Sequence, residues 1–252
     1  MQVDGALQGG STRPRHRRLG VLFAMGVLVA LIALVLSACA GGGGGGGGGS
    51  AQDEAKAKEA DQTRPLPQDP GALRPSEYYS VDFKPSLSFH VRKGWLTTEP
   101  QLPDFIEVGQ PGEGGWILFA TVKEVYKPGT LKVVEAPKDL VDWFQDHPYL
   151  KTSKPEPVTV GGIKGKQFEA VVEDLPKDVY GECGSECVDI SRQSSGEQST
   201  YFLETNRERR VIVLEDVKGE TVEIAFSSPP EKFDEFAPEA QKVLESVKWG
   251  GS

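Results

Sequence analysis

Few side chains in this 252-residue chain are suited to chemistry: three cysteines, Cys39, Cys183 and Cys187, and three histidines, His16, His90 and His147. His90 alternates with Phe89 and Val91 in a strand-like stretch, so it is expected on the opposite side of a sheet from them. His147 precedes Pro148 at the end of a helical pattern, where an imidazole can bond the last carbonyls or favour the helix dipole. Neither reads as a catalytic base. The chain has no Gly-x-Ser-x-Gly elbow, no Gly-rich phosphate loop opening a helix, no His-Glu-x-x-His and no Asp-x-Asp-x-Asp-Gly calcium loop. A carboxylate pair of the glycosidase kind could be drawn from the many Asp and Glu residues. In so acidic a chain the solvated surface is the expected place for them. Cys183-Gly184-Ser185-Glu186-Cys187 has one residue more than the Cys-x-x-Cys of thiol oxidoreductases, and no helical pattern follows it to lower a thiol pKa. No histidine stands nearby to complete a zinc set. The expectation is a protein that is not an enzyme and that carries no cofactor and no metal.

Cys39 stands in a different context. Arg13, Arg15, Arg17 and Arg18 precede an uninterrupted apolar run, residues 19–36, which is the layout of an export signal. The run ends in Leu36-Ser37-Ala38-Cys39, which resembles the lipobox of bacterial lipoprotein precursors. That resemblance implies cleavage before Cys39 and a thioether-linked diacylglycerol on its sulfur. Two acyl chains anchor a protein stably, because each buried methylene contributes about 0.8 kcal/mol. The competing reading is an uncleaved anchor, since about 18 apolar residues can just span a bilayer.

The whole chain has a formal charge of −9. Residues 1–38 hold four of the 28 basic residues and one of the 37 acidic ones, so the processed chain keeps 24 against 36, a formal −12. Nucleic acid and anionic lipid both need concentrated Lys and Arg, and neither is expected as a direct partner. Attachment to the membrane should come from the lipid on Cys39. In an exported chain thiols oxidise, so Cys183 and Cys187 are expected to bond to each other. The closed loop would stiffen its own segment and lower the entropy lost if that segment meets a partner.

After Cys39 come Gly41 to Gly49 and a polar stretch reaching Pro75, which reads as a disordered tether over 39–75. Its 36 residues from Ala40 would have a typical end-to-end distance of roughly 30–36 Å. Apolar patterning then runs through a single domain, 76–249. Strands are predicted from Tyr79 to Phe83, Leu87 to Val91, Asp104 to Val108 and Trp116 to Tyr126. Pro137 opens a helix from Lys138 to Asp146, which Pro148 stops. Hairpins follow around Gly161-Gly162 and around Lys218-Gly219, separated by a polar insertion, 173–198, that carries both cysteines. Phe233, Phe236, Ala240, Val243, Leu244 and Val247 form one apolar stripe of a last helix, with Pro238 in the first turn of its main part.

This order, carried by Leu87-Ser88-Phe89-His90-Val91 with Gly94-Trp95, by Val160-Gly161-Gly162 and by Phe233 through Val247, resembles the PsbP-like α/β/α sandwich. That fold is shared by the photosystem II extrinsic subunit, the import factor Mog and envelope lipoproteins of the LpqN and DcrB types. The resemblance implies an α+β domain, an antiparallel β-sheet flanked by α-helices, that acts by touching other proteins; no functional residue transfers with it. The expected function is a membrane-anchored, extracytoplasmic, monomeric binding or assembly module for a protein or another component of the cell envelope. A carrier of a small apolar ligand and an envelope hydrolase are the alternatives.

Overall fold

In the computed structural model of the chain the described residues are 63–112, 114–176, 181, 184, 186–193 and 200–250, and all of them fall in one compact unit spanning 48–252. Cys39, Cys183 and the apolar run 19–36 lie outside the described residues. Seventeen strands and two helices follow in chain order among the described residues. The strands before the first helix are β1 (Arg64–Pro65), β2 (Gly71–Ala72), β3 (Ser76–Tyr79), β4 (Leu87–Val91), β5 (Leu96–Thr97), β6 (Phe105–Gln110), β7 (Gly115–Thr121), β8 (Glu124–Tyr126) and β9 (Val133–Glu135). Helix α1 is Leu140–Gln145. Then come β10 (Leu150–Thr152), β11 (Glu156–Val160), β12 (Ile163–Val172), β13 (Cys187–Arg192), β14 (Thr200–Glu204), β15 (Glu208–Val217) and β16 (Glu220–Ser228). Helix α2 is Pro230–Glu245, and β17 is Lys248–Trp249.

The central sheet has the order β10-β12-β15-β16-β7-β6-β5-β2, with β11 also paired to β12. Its long strands are joined by tight hairpins whose turns have the backbone that two-residue loops require. Gly161 and Gly162 have φ of 57° and 82°, and Lys218 and Gly219 have 57° and 91°. Alternation then sorts the side chains. Ile106, Val108, Ile117, Phe119, Ile212, Leu214, Val222, Ile224 and Phe226 enter a first core with α2 and the sheet β1-β3-β4-β17. Leu118, Ala120, Phe168, Ala170, Val211, Val213 and Ala225 enter a second core, with α1 and the sheet β14-β13-β8-β9. Each large apolar side chain so buried contributes about 1.5–3 kcal/mol.

The expected fold class, an antiparallel sheet flanked by helices in an α/β/α sandwich, does not hold. The described residues are mostly strand, and each face of the central sheet is covered by one helix together with a small sheet. The reason lies in the segment expected as an irregular insertion. Val188 and Ile190 on β13 alternate with Asp189 and Ser191 and turn inward onto the second core, as do Tyr201 and Leu203 on β14 just beyond that insertion, so a third sheet covers much of that face. The strand expected from Trp116 to Tyr126 is also two strands. β7 leaves the central sheet after Thr121, and β8 joins the third sheet through Ser191.

The tether expected up to Pro75 ends earlier. From Arg64 the chain is part of the fold: Leu66 is 2% exposed and Leu73 5%, and the Gln101 side chain donates to the Leu66 carbonyl at 2.7 Å. The two helices lie where their stripes place them. In α1, Leu140, Val141 and Phe144 are buried, and the Asp139 carboxylate caps the helix by accepting from the Asp142 amide. α2 begins earlier than expected, with Pro230 in its first turn, and Pro238 is inside it. That proline is exposed, as is Asp234 one turn back, so the carbonyl it leaves without an amide partner faces water.

Candidate functional site

The face of the central sheet turned to the second core is not uniformly apolar. Register places Ser227 of β16 between Trp116 on β7 and Arg209 on β15, and it places Glu223 between Ala120 and Val213. Glu107 on β6 is opposite Leu118 in the adjoining row. A sheet face open to solvent could carry these residues at no cost. Here the third sheet lies over it, so Arg209 is 1% exposed and Glu223 is fully buried.

At the edge of this covered region a cleft of about 700 Å³ opens between β6 and β7 on one side and β14 on the other. That volume is within the range of small-ligand sites. Phe105, Trp116 and Phe202 give it apolar walls, and Glu99, Glu107 and Glu204 give it carboxylates. Trp116 meets the Tyr201 ring edge-on, at 6.2 Å between centroids. Arg207 lies over the Trp116 ring, 5.8 Å from its centroid, where it donates from Nε to Ser227 Oγ at 3.1 Å and from Nη2 to the Ser227 carbonyl at 3.3 Å.

Two titrating groups bear on this region. The Glu107 carboxyl is held above its ordinary range, first by desolvation; a hydrogen bond from the Thr98 hydroxyl opposes this, and the negative charges of Glu99 and Glu204 add to it. Beneath the cleft, desolvation pushes Glu223 up to about 8, with the charge of Arg209 acting against it. Neither carboxylate oxygen of Glu223 has a hydrogen-bond partner among the described residues, nor do the Tyr201 hydroxyl and the Nε and Nη1 atoms of Arg209. Arg209 donates from Nη2 to the Glu204 carbonyl at 3.4 Å.

No family model matches the chain, and no curated protein does. The solution structure of cyanobacterial PsbP (CyanoP) from Synechocystis sp. PCC 6803 is similar to it, with 12% identity, coverage of 71% of this chain and 95% of that chain, and a TM-score of 0.36. A likeness of that size transfers neither a residue nor a role.

The residues singled out from sequence are placed as follows. Cys187 opens β13 and is buried; the pairing with Cys183 involves a residue outside those described. His90 is exposed on β4, opposite in facing to its buried neighbours. His147 is buried, with Nδ1 accepting from the Tyr149 amide at 3.3 Å, and desolvation lowers its pKa to about 4. It is thus a neutral acceptor and does not serve as a cation for the helix dipole. None of these lines the cleft. Among the described residues no cluster of His, Cys, Asp and Glu could hold a metal ion, and no helix is long and apolar enough to cross a membrane. The cleft residues Glu107, Tyr201, Glu204 and Arg207 were missed by sequence reasoning. The available signal was the alternation Val188-Asp189-Ile190-Ser191, a strand whose partner sheet could cover the polar face of β15 and β16.

Proposed function

We infer that the chain is a lipid-anchored, extracytoplasmic module without enzymatic activity, held by diacylglycerol on Cys39, and that it engages a partner through the cleft between β6–β7 and β14. The observation that supports this reading is the cleft itself. It is an open concavity of about 700 Å³ with aromatic walls and carboxylates, set between strands of two sheets. Aromatic residues give much contact area for little lost side-chain entropy, which suits recognition. Among the described residues the cleft has no histidine or cysteine in its lining, and its hydroxyls are those of Tyr201 and of Thr200, the latter tied to Tyr126 Oη at 2.7 Å. Carriage of a wholly apolar ligand is disfavoured by the three carboxylates, because such a ligand would take water from them and offer no hydrogen bond or charge in return.

The test combines anchoring with mapping of contacts. Intact-mass analysis of the mature protein from its native host should give a diacylglyceryl mass that Cys39→Ala abolishes. A photo-crosslinking side chain in place of Phe202 should capture the partner in the same cells, and one in place of Glu245, exposed on α2, should not. Masses for the wild type and the Cys39→Ala form that differ by no more than the sulfur atom the substitution removes would remove the anchor. Capture from position 245 and not from 202 would remove the cleft as the binding site.

A further inference from the structure

The charges around the cleft are unbalanced, and the imbalance has a direction. Among the described residues Glu99, Glu107 and Glu204 line it against one cation, Arg207. That cation is already engaged: its guanidinium is held by Ser227, lies over Trp116 and has Glu204 Oε2 3.5 Å from Nε. Glu107 receives one hydrogen bond among the described residues, from Thr98. The carboxyl is raised by desolvation and by its acidic neighbours. An arriving positive charge would relieve both effects, whereas an arriving carboxylate or phosphate would add to the repulsion. Tyr201, on the floor of the cleft and 6% exposed, has a hydroxyl with no partner among the described residues. That oxygen is buried, so the cleft meets the ring of Tyr201 and not its hydroxyl.

We propose that the cleft binds an organic cation, an ammonium or guanidinium group on an apolar body, with Phe105 and Trp116 receiving the body and Glu107 and Glu204 receiving the charge. This rests on the reading of the cleft as the binding site and adds the chemistry of what enters it. Electron-rich ring faces and carboxylates act together in such sites, because each favours the same sign of charge and the apolar walls weaken competition from water. The Arg207–Trp116 contact is an internal instance of the same chemistry. A free amine and a basic side chain of a partner protein share it.

The experiment is calorimetric titration of the mature protein in phosphatidylcholine nanodiscs, with empty discs as the blank. The probes are phenethylamine, phenethyl alcohol and 3-phenylpropionate, one body with three charges. The amine should bind at least about tenfold more tightly than the alcohol, and the propionate most weakly. Glu107→Gln and, separately, Glu204→Gln should weaken the amine by about threefold to tenfold and leave the alcohol unchanged. A blocked Ala-Ala-Lys-Ala-Ala peptide and its norleucine counterpart separate the sources. Lysine peptide binding tighter than phenethylamine assigns the cleft to a basic protein segment, and the reverse assigns it to a free amine. Equal affinities for the three probes, no binding by any of them, or tightest binding by the propionate overturns the proposal. The last of these leaves the cleft standing as a site, whereas the crosslinking pattern at positions 202 and 245 decides the site itself.

Discussion

Glu223 is a carboxyl in the middle of a nine-stranded sheet with no hydrogen bond to either oxygen among the described residues, and such a group is stable there only when neutral. Its pKa of about 8, against an ordinary 4.5, has a definite sign for folding. Between those values the folded chain holds a proton that the unfolded chain has released. The stabilising state is therefore fully present below about pH 4.5 and is lost as pH rises through 8, by up to about 5 kcal/mol. Glu223→Gln mimics the neutral form, so its urea midpoint should lie increasingly above that of the wild type as pH rises from 5 to 9. A constant difference across that range would show that Glu223 is charged in the fold. His147 acts in the opposite sense. Its lowered pKa of about 4 costs stability as pH falls from 6.5 to 4, but it is common to both proteins and cancels from the difference.

At the scale of elements, close backbone approach fixes how the strands can lie. A Cβ on Gly165 of β12 would sit 2.2 Å from the Val213 carbonyl oxygen of β15 and 2.6 Å from Leu214 Cδ2, so β12 and β15 pair as they do only because that atom is missing. Gly165→Ala should lower the unfolding free energy by about 1–3 kcal/mol in urea titration, the usual cost of overpacking. Gly71→Ala, with nothing within 4 Å of its Cβ, should change it little; equal effects would mean that the β12–β15 contact is looser than described. The helices were legible because their stripes are long and regular. Phe233, Phe236, Ala240, Val243 and Leu244 all reach the core of α2, and Phe233 stacks on Phe226 with ring centroids 6.0 Å apart. β13 and β14 were not legible, since five or six alternating residues flanked by polar ones read as loop until a partner strand is known.

For the whole molecule the consequence lies at the start of the domain. Leu66 and Leu73 are buried in the first core, and their amides donate to the carbonyls of Tyr79 and Trp95. Residues 64–75 therefore act as a strap across the sheets and are no part of the expected tether. A domain beginning at residue 63 should fold as the full chain does. One beginning at 76 should lose about 3–6 kcal/mol of stability from the two leucines alone, measured by thermal or urea unfolding. Equal stabilities would return residues 64–75 to the tether.

Several features follow from local pattern. The arginines, the apolar run and Cys39 set the expectation of export and lipid attachment. The turn residues Gly161-Gly162 and Lys218-Gly219 locate the hairpins, since few residues accept their φ values. The apolar stripes of α1 and α2 locate the helices. What depended on tertiary structure was the burial of polar residues. On β15 and β16, Arg209, Glu223 and Ser227 lie on the face away from Ile212, Val222, Ile224 and Phe226, and the strands alone do not say whether water or protein meets that row. Only the arrival of the third sheet, which joins β13 and β14 to the distant β8 and β9, removes water from that row, shifts Glu223 and leaves the cleft at its edge. Burial is a property of what covers a face, and no period within a strand encodes its cover.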